Sequence, residues 1–179
     1  MTRHRVDDTA HPWRNVKGRA AALLFCLAAF ALASAEAQAG DATIIGERDG
    51  KDIVTVRITE ATQSKQALPI FPGISGKTAG AKSLSLLKVV IPPGGSAKAH
   101  VHKGYESAVY LVKGRVETRY GEGLKKSVVN EAGDFVFIPP DMPHQPFNLS
   151  ETEPAIAIVA RSDPDEQEHV ILYREDKPD

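Results

Sequence analysis

Residues Ala99–Gly114 read AHVHKGYESAVYLVKG. His100 and His102 are one residue apart in a run that is otherwise typical of a β-strand, and Glu106 follows four residues after the second histidine. Side chains alternate between the two faces of a strand, so both imidazoles lie on one face, about 6–7 Å apart along the chain. Two imidazoles that face an interior are unfavourable unless they bind something. The stretch therefore indicates a ligand-binding site.

The other groups of such a site lie nearby in the sequence. Lys103-Gly104 can turn the chain, so that Glu106 returns over the same site from the next strand. His144 is the candidate for a further ligand, because the prolines of PPDMPHQPFN (residues 139–148) stiffen the chain around it. Imidazole nitrogens together with one carboxylate suit a mid-row divalent metal. We therefore predict a metal site with four protein ligands: His100, His102, Glu106 and His144.

Short strand-like runs separated by strong turn signals dominate the rest of the chain, which predicts an all-β sandwich or barrel. Asp49-Gly50 is a hairpin signal, and 63–82, rich in proline and glycine, is predicted as a loop. The predicted strands are Thr43–Glu47, Ile53–Thr59, Leu84–Ile91, Ala97–His102, Glu106–Val112, Arg115–Tyr120, Lys126–Val129, Phe135–Ile138, His144–Leu149, Ala155–Ala160 and Val170–Tyr173.

The spacing of the candidate ligands resembles the two motifs of the cupin superfamily, in the manner of a small, single-domain bacterial-type cupin. The first motif, G-x5-H-x-H-x3/4-E-x6-G, is matched by Gly94, His100, His102, Glu106 and Gly114. The second motif, G-x5-P-x-G-x2-H-x3-N, is matched by Gly133, Pro139, His144 and Asn148. The resemblance covers residues 94–148 directly.

Two positions depart from the motifs. Seven residues separate Glu106 from Gly114 instead of six, and a bulge or a shifted turn there would change which side chains point inward. Asp141 replaces the glycine of the second motif. Aspartate tolerates a positive φ better than most residues, so we expect this replacement to have a small effect.

The resemblance implies a single jelly-roll β-barrel with one divalent metal at its centre, reached from one open end. It does not choose among Mn, Fe, Ni, Cu and Zn. It implies a metal-dependent protein acting on a small organic molecule, with an oxygenase-type enzyme as the first hypothesis. The alternatives are a non-catalytic binding or sensing module and a metal-assisted lyase or isomerase, since one fold hosts many functions.

Other residues in and near the two motifs also have predicted roles. Tyr110, Tyr120 and Phe137 are candidates to line the pocket, with packing in the core as the alternative interpretation. Asn148 is predicted to hold a turn or a strand end rather than to contact the substrate. His169, in DPDEQEHV, is predicted to be a surface residue outside the site.

The first residues of the chain form a pattern typical of a secretory signal peptide. Basic residues precede the apolar run Ala20–Ala33, and Ala37-Gln38-Ala39 is an A-x-A cleavage signal. The run is shorter than the roughly 20 residues that cross a bilayer, although an uncleaved anchor is the alternative. We expect residues 1–39 to be removed with Cys26, so that an exported, periplasmic or secreted protein without stable membrane insertion remains.

Length and charge limit the remaining possibilities. A chain of 179 residues with a net charge of −1 fits one domain and gives no indication of nucleic-acid binding. The predicted organisation after the signal is a hairpin and loop at 40–83, the barrel at 84–174 and a tail at 175–179. We expect a homodimer whose interface includes the hairpin Thr43–Thr59, and a small molecule as ligand or substrate.

Overall fold

The computed structural model describes residues 42–165 and 167–174 of the chain. The predicted signal peptide at 1–39, with Cys26, and the predicted tail at 175–179 lie outside the described residues. Among the described residues, no helix combines the length and the apolar character that crossing a membrane requires.

Nearly all the regular secondary structure of the described residues is β-strand, as the sequence predicts. The short helix α1 spans Gly76–Ala79, and a single 3-10 turn spans Glu122–Leu124. The strands are β1 (Ala42–Ile45), β2 (Thr55–Ile58), β3 (Thr62–Gln63), β4 (Pro69–Ile74), β5 (Ser85–Ile91), β6 (His100–His102), β7 (Ser107–Lys113), β8 (Arg115–Tyr120), β9 (Lys126–Glu131), β10 (Phe135–Ile138), β11 (His144–Asn148), β12 (Ala155–Arg161) and β13 (Val170–Leu172).

Two larger sheets form the body of the protein. One sheet has six strands in the order β10-β7-β12-β5-β4-β3, and the other has five in the order β13-β6-β11-β8-β9. Strands β1 and β2 form a separate antiparallel pair. All the strand pairs within the two larger sheets are antiparallel, as expected for a β-sandwich.

The segment between the hairpin and β5 differs from the prediction of a loop. It contains β3, β4 and α1, and β4 pairs with β5, so the six-stranded sheet begins at Thr62 rather than at Leu84. Proline is confined to the first residue of a strand or to irregular positions. Pro69 begins β4, and the register against β5 shifts between Pro72 and Ile74. The prolines that favour a loop in the sequence therefore occupy the two positions that a strand allows.

The Asp49-Gly50 hairpin is confirmed, with a longer connection than a two-residue turn. Ile45 lies opposite Thr55, so residues 46–54 connect the strands. The Asp49 carboxylate accepts a hydrogen bond from the Lys51 amide at 2.9 Å. At the tip of the connection, Arg48 donates to the Lys77 carbonyl of α1 at 2.6 Å.

The hydrophobic core lies on the inner face of the six-stranded sheet. Strands β5 and β12 alternate strictly between buried and partly exposed residues, as a sheet with one buried face requires. Full burial of one such aliphatic side chain contributes about 1.5–3 kcal/mol. The buried cluster consists of Leu68, Ile70, Leu87, Val89, Ile91, Ala97, Leu111, Val116, Ala155, Ala157 and Val159.

The outer face of the same sheet also carries large apolar side chains. Phe135 and Phe137 of β10 are 84% and 62% exposed, and Tyr110 of β7 packs against Phe135 with ring centroids 4.8 Å apart. In the next strand Ile158 lies opposite Tyr110. Contiguous apolar surface of this kind is unusual on a solvated sheet face.

Candidate metal centre

Three histidines from two strands lie together between the sheets. His100 and His102 share the inner face of β6, with the half-buried Val101 between them on the opposite face. His144 begins β11 and lies directly opposite His100 in the antiparallel register. The ring centroids are 4.2 Å apart for His100 and His144, 4.7 Å for His102 and His144, and 5.1 Å for His100 and His102.

The turn before His144 holds the second motif against the first. Asp141 has φ 59°, the positive value that aspartate tolerates and that the motif glycine adopts readily. Its backbone amide donates to the His102 carbonyl at 2.9 Å, and its carboxylate is 3.1 Å from the Lys103 ammonium. The replacement of glycine therefore leaves the turn intact, as predicted.

Each imidazole is held through its Nδ1 atom. The Nδ1 atoms of His100 and His144 donate to the carbonyls of Lys98 and Met142, at 2.8 and 2.9 Å. Nδ1 of His102 is 2.7 Å from Oγ of Ser107. A hydrogen bond at one ring nitrogen fixes the tautomer and leaves the other nitrogen as the metal ligand. The three Nε2 atoms are therefore available to coordinate a metal ion.

The spacing of the three imidazoles fits a divalent metal ion. One nitrogen from each ring lies within 4.8 Å of the others, close to the roughly 3–4 Å between nitrogens that sit about 2.1 Å from one metal ion. Nε2 of His102 is buried and has no hydrogen-bond partner among the described residues. Buried polar atoms are normally satisfied, so a metal ion at this point would supply the missing interaction.

Burial keeps the three imidazoles neutral. Desolvation is the largest cause that lowers the pKa of His100, to about 3, and the charge of His144 is the second. Desolvation is also the largest cause that lowers the pKa of His102, which lies far below its usual range, and the positive charge of Arg161 is the second. Desolvation is also the largest cause that lowers the pKa of His144, to about 4. Neutral imidazole is the form that binds metal, so at neutral pH no proton competes with the ion.

The structure does not bring Glu106 to this site, and its predicted role as a ligand is corrected accordingly. The Glu106 side chain is exposed, whereas Tyr105 and Ser107 on either side of it are buried. Its backbone is bonded to Ser162, with the Glu106 amide 3.0 Å from Oγ of Ser162. Because side chains alternate along the strand, the inward position belongs to Ser107. The motif requires six residues between this position and Gly114, and residues 108–113 are the six that separate Ser107 from Gly114.

A cavity of about 90 Å³ adjoins the histidines between the two sheets. It is mainly apolar, and its polar lining comes from His100, His102, His144, Gln66, Thr118, Asn130 and Arg161. The described lining residues include no aspartate, glutamate, lysine, tyrosine or cysteine. Such a volume holds several water molecules or a ligand of a few non-hydrogen atoms.

The aromatic residues predicted to line the pocket do not line this cavity. Tyr110 and Phe137 lie on the outer face of the six-stranded sheet, since Val109, Val136 and Ile138 beside them face inward. Tyr120 is half-buried at the end of β8 and is not among the lining residues. For Tyr110 and Phe137 the prediction was wrong because a strand offers only alternate residues to each face.

Arg161 was missed by the sequence analysis, although the alternation of β12 contains a signal for it. Residues Ala155, Ala157 and Val159 are buried, and the same period of two places Arg161 on the inner face. Its exposure is 4%. An arginine at the end of an apolar strand belongs to no motif, so only the register of the strand could have placed its side chain on the inner face.

Asn148 holds a strand end, as predicted. Its side-chain nitrogen lies within hydrogen-bond distance of three carbonyls, those of Ile91, Pro92 and Glu153. Its side-chain oxygen accepts from the Ser150 amide at 3.0 Å. These bonds connect the end of β11 to the ends of β5 and β12.

His169 lies outside the cluster and forms an ion pair with Asp163, with Nδ1 and Oδ2 2.6 Å apart. The pKa of His169 is raised mainly by the hydrogen bond from its imidazole to Asp163, and secondly by the negative charge of that carboxylate. A group whose pKa is higher in the folded state than in the unfolded state stabilises the fold at low pH. This contribution is complete below the unfolded-state pKa and is lost as the pH rises through the folded-state pKa.

We therefore expect His169→Gln to reduce the free energy of unfolding more at about pH 5.5 than at about pH 9. The measurement is urea unfolding of the wild type and the variant at both pH values. Metal affinity should be equal in the two proteins, because His169 does not belong to the cluster. An equal loss of stability at both pH values would show that the ion pair is not responsible.

Comparison with known proteins places this geometry in a family. The family described as "Cupin domain" matches residues 87–161. Among solved structures, an oxalate decarboxylase from Lactobacillus farciminis, described as a formate complex, has a TM-score of 0.52 at 25% identity, covering 59% of this chain and 31% of its own. No curated protein matches the chain.

Two further solved structures share the fold at lower identity. An uncharacterized conserved protein with a double-stranded beta-helix domain from Klebsiella pneumoniae has a TM-score of 0.51 at 18% identity, covering 62% of this chain and 88% of its own. A Bacillus subtilis oxalate decarboxylase, described as having Mn(II) centers, has a TM-score of 0.54 at 17% identity. The match covers 64% of this chain and 30% of the decarboxylase. The chain thus spans less than a third of the length of the two decarboxylases. Residues 87–161, which contain both histidines of β6 and the histidine of β11, form a cupin domain.

Proposed function

We propose that this protein is a metal-dependent cupin in which His100, His102 and His144 bind one divalent metal, and that it is an oxygenase-type enzyme acting on a small organic molecule. The observation that carries the proposal is the convergence of three neutral imidazoles, each fixed through Nδ1, beside a mainly apolar cavity. Three protein ligands leave further coordination positions of a metal for a ligand from solution.

The lining of the cavity favours chemistry that the metal supplies. Acid–base catalysis needs a side chain with a suitable pKa within reach of the substrate. Apart from the three histidines and Arg161, the described lining residues carry no ionisable group. When bound, a redox-active divalent metal would supply Lewis-acid and redox chemistry at this point. The role of the protein's own residues is then to bind the metal, exclude bulk water and orient the substrate.

Two polar side chains in the cavity support a small polar molecule as the substrate. Oε1 of Gln66 and Oδ1 of Asn130 are buried and have no hydrogen-bond partner among the described residues. A buried acceptor of this kind favours a ligand that donates a hydrogen bond to it. Both residues line the same cavity as the histidines.

The identity of the metal is part of the proposal. The Bacillus subtilis oxalate decarboxylase with the same fold is described as having Mn(II) centers, and manganese is therefore a candidate here beside iron. Imidazole also binds copper and zinc strongly, in the Irving–Williams order. Protein from its native compartment is accordingly proposed to carry mixed or zinc-rich metal, with activity that increases on reconstitution with Mn²⁺ or Fe²⁺.

The test is reconstitution followed by two assays. Metal-stripped protein is loaded separately with Mn²⁺, Fe²⁺ and Zn²⁺, the stoichiometry is measured, and oxygen consumption is followed with a panel of small organic acids and alcohols. We expect one metal ion per chain and oxygen uptake with Fe²⁺ or Mn²⁺ but not with Zn²⁺. Turnover without oxygen would instead indicate a lyase or isomerase. Ligand retention without turnover under any metal would indicate a binding module, and failure of all three metals to bind would overturn the proposal.

We also propose that the protein acts as an exported homodimer. The proposal on export depends on the sequence of residues 1–39 alone. The proposal on assembly is supported by the exposed Phe135 and Phe137 on the outer sheet face, since apolar patches on soluble proteins commonly mark contact surfaces. The hairpin Thr43–Thr59 remains the predicted second part of that interface.

A further inference from the structure

The hydrogen-bond partner of His102 differs in kind from the partners of the other two imidazoles. Each neutral ring carries a single proton, on either Nδ1 or Nε2. His100 and His144 are bonded to backbone carbonyls, which can only accept, so the ring proton of both lies on Nδ1. His102 is bonded instead to Oγ of Ser107 at 2.7 Å, and a hydroxyl can either accept or donate. This contact therefore allows both tautomers of His102.

The contact between Ser107 and His102 is enclosed by protein. Their exposures are 1% and 2%. The Tyr105 ring is stacked on the imidazole, with centroids 5.1 Å apart and an angle of 10° between the planes, which holds the ring in place. Among the described residues, the Ser107 hydroxyl has no second partner and Nε2 of His102 has none at all. The tautomer is thus decided by which buried group stays unsatisfied.

These unsatisfied groups differ between the metal-free and the metal-bound protein. Without a metal ion, the Ser107 hydroxyl can donate to Nδ1 of His102, and only the Nε2–H group then lacks a partner. In the reverse arrangement Nδ1–H donates to Ser107, and both the hydroxyl proton and Nε2 lack partners. Each such group costs free energy, so the first arrangement is favoured. An ion bound at Nε2 excludes the first arrangement and satisfies Nε2 in the second, which reverses the preference.

We propose that Ser107 is a positioning residue that holds His102 in the Nε2–H tautomer until a metal ion arrives, so that His102 is the last of the three histidines to bind. This inference rests on the proposed metal site. As the ion binds, the Nε2 proton passes to solvent and Nδ1 takes up a proton from solvent. The ring keeps one proton and stays neutral, while the Ser107 hydroxyl changes from donor to acceptor.

The test locates the ring protons before and after metal is added. Long-range proton–nitrogen NMR spectra of full-length protein with isotope-labelled histidine distinguish a protonated ring nitrogen from a bare one. We expect His102 to change from Nε2–H to Nδ1–H when Zn²⁺ binds. In the metal-free protein the Nε2–H tautomer should be favoured at least about fivefold, the ratio that one buried hydrogen bond supplies. His100 and His144 are controls in the same spectra and should show Nδ1–H in both states.

Three variants assign the effect to the hydroxyl. Ser107→Ala removes the donor to Nδ1 and should lower the metal-free tautomer ratio of His102 about fivefold, whereas Ser107→Thr keeps the hydroxyl and should keep the ratio. Ser85→Ala is the matched control and should leave the ratio unchanged. Ser85 is also 1% exposed, and it lies opposite Arg161 from β5 as Ser107 does from β7.

The wild-type spectra decide the question even where a variant does not fold. Wild-type protein that binds Zn²⁺ while His102 keeps one tautomer throughout would overturn this inference alone. Wild-type protein that does not bind Zn²⁺ would overturn the proposed metal site itself.

Discussion

Replacing His144 by alanine is expected to abolish stoichiometric metal binding while the β-sandwich stays folded. The apparent binding free energy of a four-ligand zinc site is about 10–16 kcal/mol, or about 2.5–4 kcal/mol for each ligand if it is shared equally. Loss of one ligand then lowers the affinity about 100- to 1,000-fold. The measurement is competition with a chromophoric chelator, together with circular dichroism to confirm the fold.

The fold should survive because the hydrophobic core does not depend on the histidines. The core cluster lies mainly on β5, β7 and β12, whereas the three rings come from β6 and β11. His102→Ala should give the same result, and His169→Ala is the matched control that changes neither property. Wild-type affinity in His144→Ala would exclude His144 as a ligand. Unfolding of both His102→Ala and His144→Ala would show that the cluster is structural instead.

Replacing Asn148 by aspartate is expected to cost about 3–5 kcal/mol of the free energy of unfolding, because each buried polar group left without a partner costs about 1–3 kcal/mol. The substitution puts an oxygen where the amide nitrogen now lies 3.1 Å from the Ile91 carbonyl and 2.8 Å from the Glu153 carbonyl. Burial of a carboxylate against carbonyl oxygens adds a further penalty. Urea unfolding measures the change.

The neighbouring residue provides a control for this prediction. Leu149 is 43% exposed, and Leu149→Ala should change the stability by less than about 1 kcal/mol. Asn148→Ala removes the donor without adding a charge and should fall between the control and Asn148→Asp. A loss below about 1 kcal/mol in Asn148→Asp would mean that the strand ends are held by other contacts.

The fold class and all three histidines of the cluster could be predicted because they depend on local patterns and on motif spacing. A period of two places His100 and His102 on one face whatever the rest of the chain does. The motif spacing then supplies His144 from a strand that is distant in sequence. The all-β class follows from many short runs with turn signals between them.

The errors come from features that local patterns leave open. A shift of one residue moves a side chain to the opposite face of a strand, which is why Ser107 rather than Glu106 points inward. The prolines of β4 hid a strand that tertiary pairing with β5 stabilises. Arg161 belongs to no motif, and its place beside the histidines depends on the register between β12 and β7.

The hydrogen bonds at Nδ1 have a consequence for how the protein exchanges its metal. The partners of these atoms are the carbonyls of Lys98 and Met142 and the hydroxyl of Ser107, all of them parts of the protein itself. The rings are thus oriented before an ion arrives, and loading involves little reorganisation of the chain. Removal of the ion by a chelator need not unfold the site, and a different ion can enter the same geometry. If the proposed metal site is correct, we therefore expect the bound ion to reflect the metals in the molecule's most recent surroundings rather than those present when it folded.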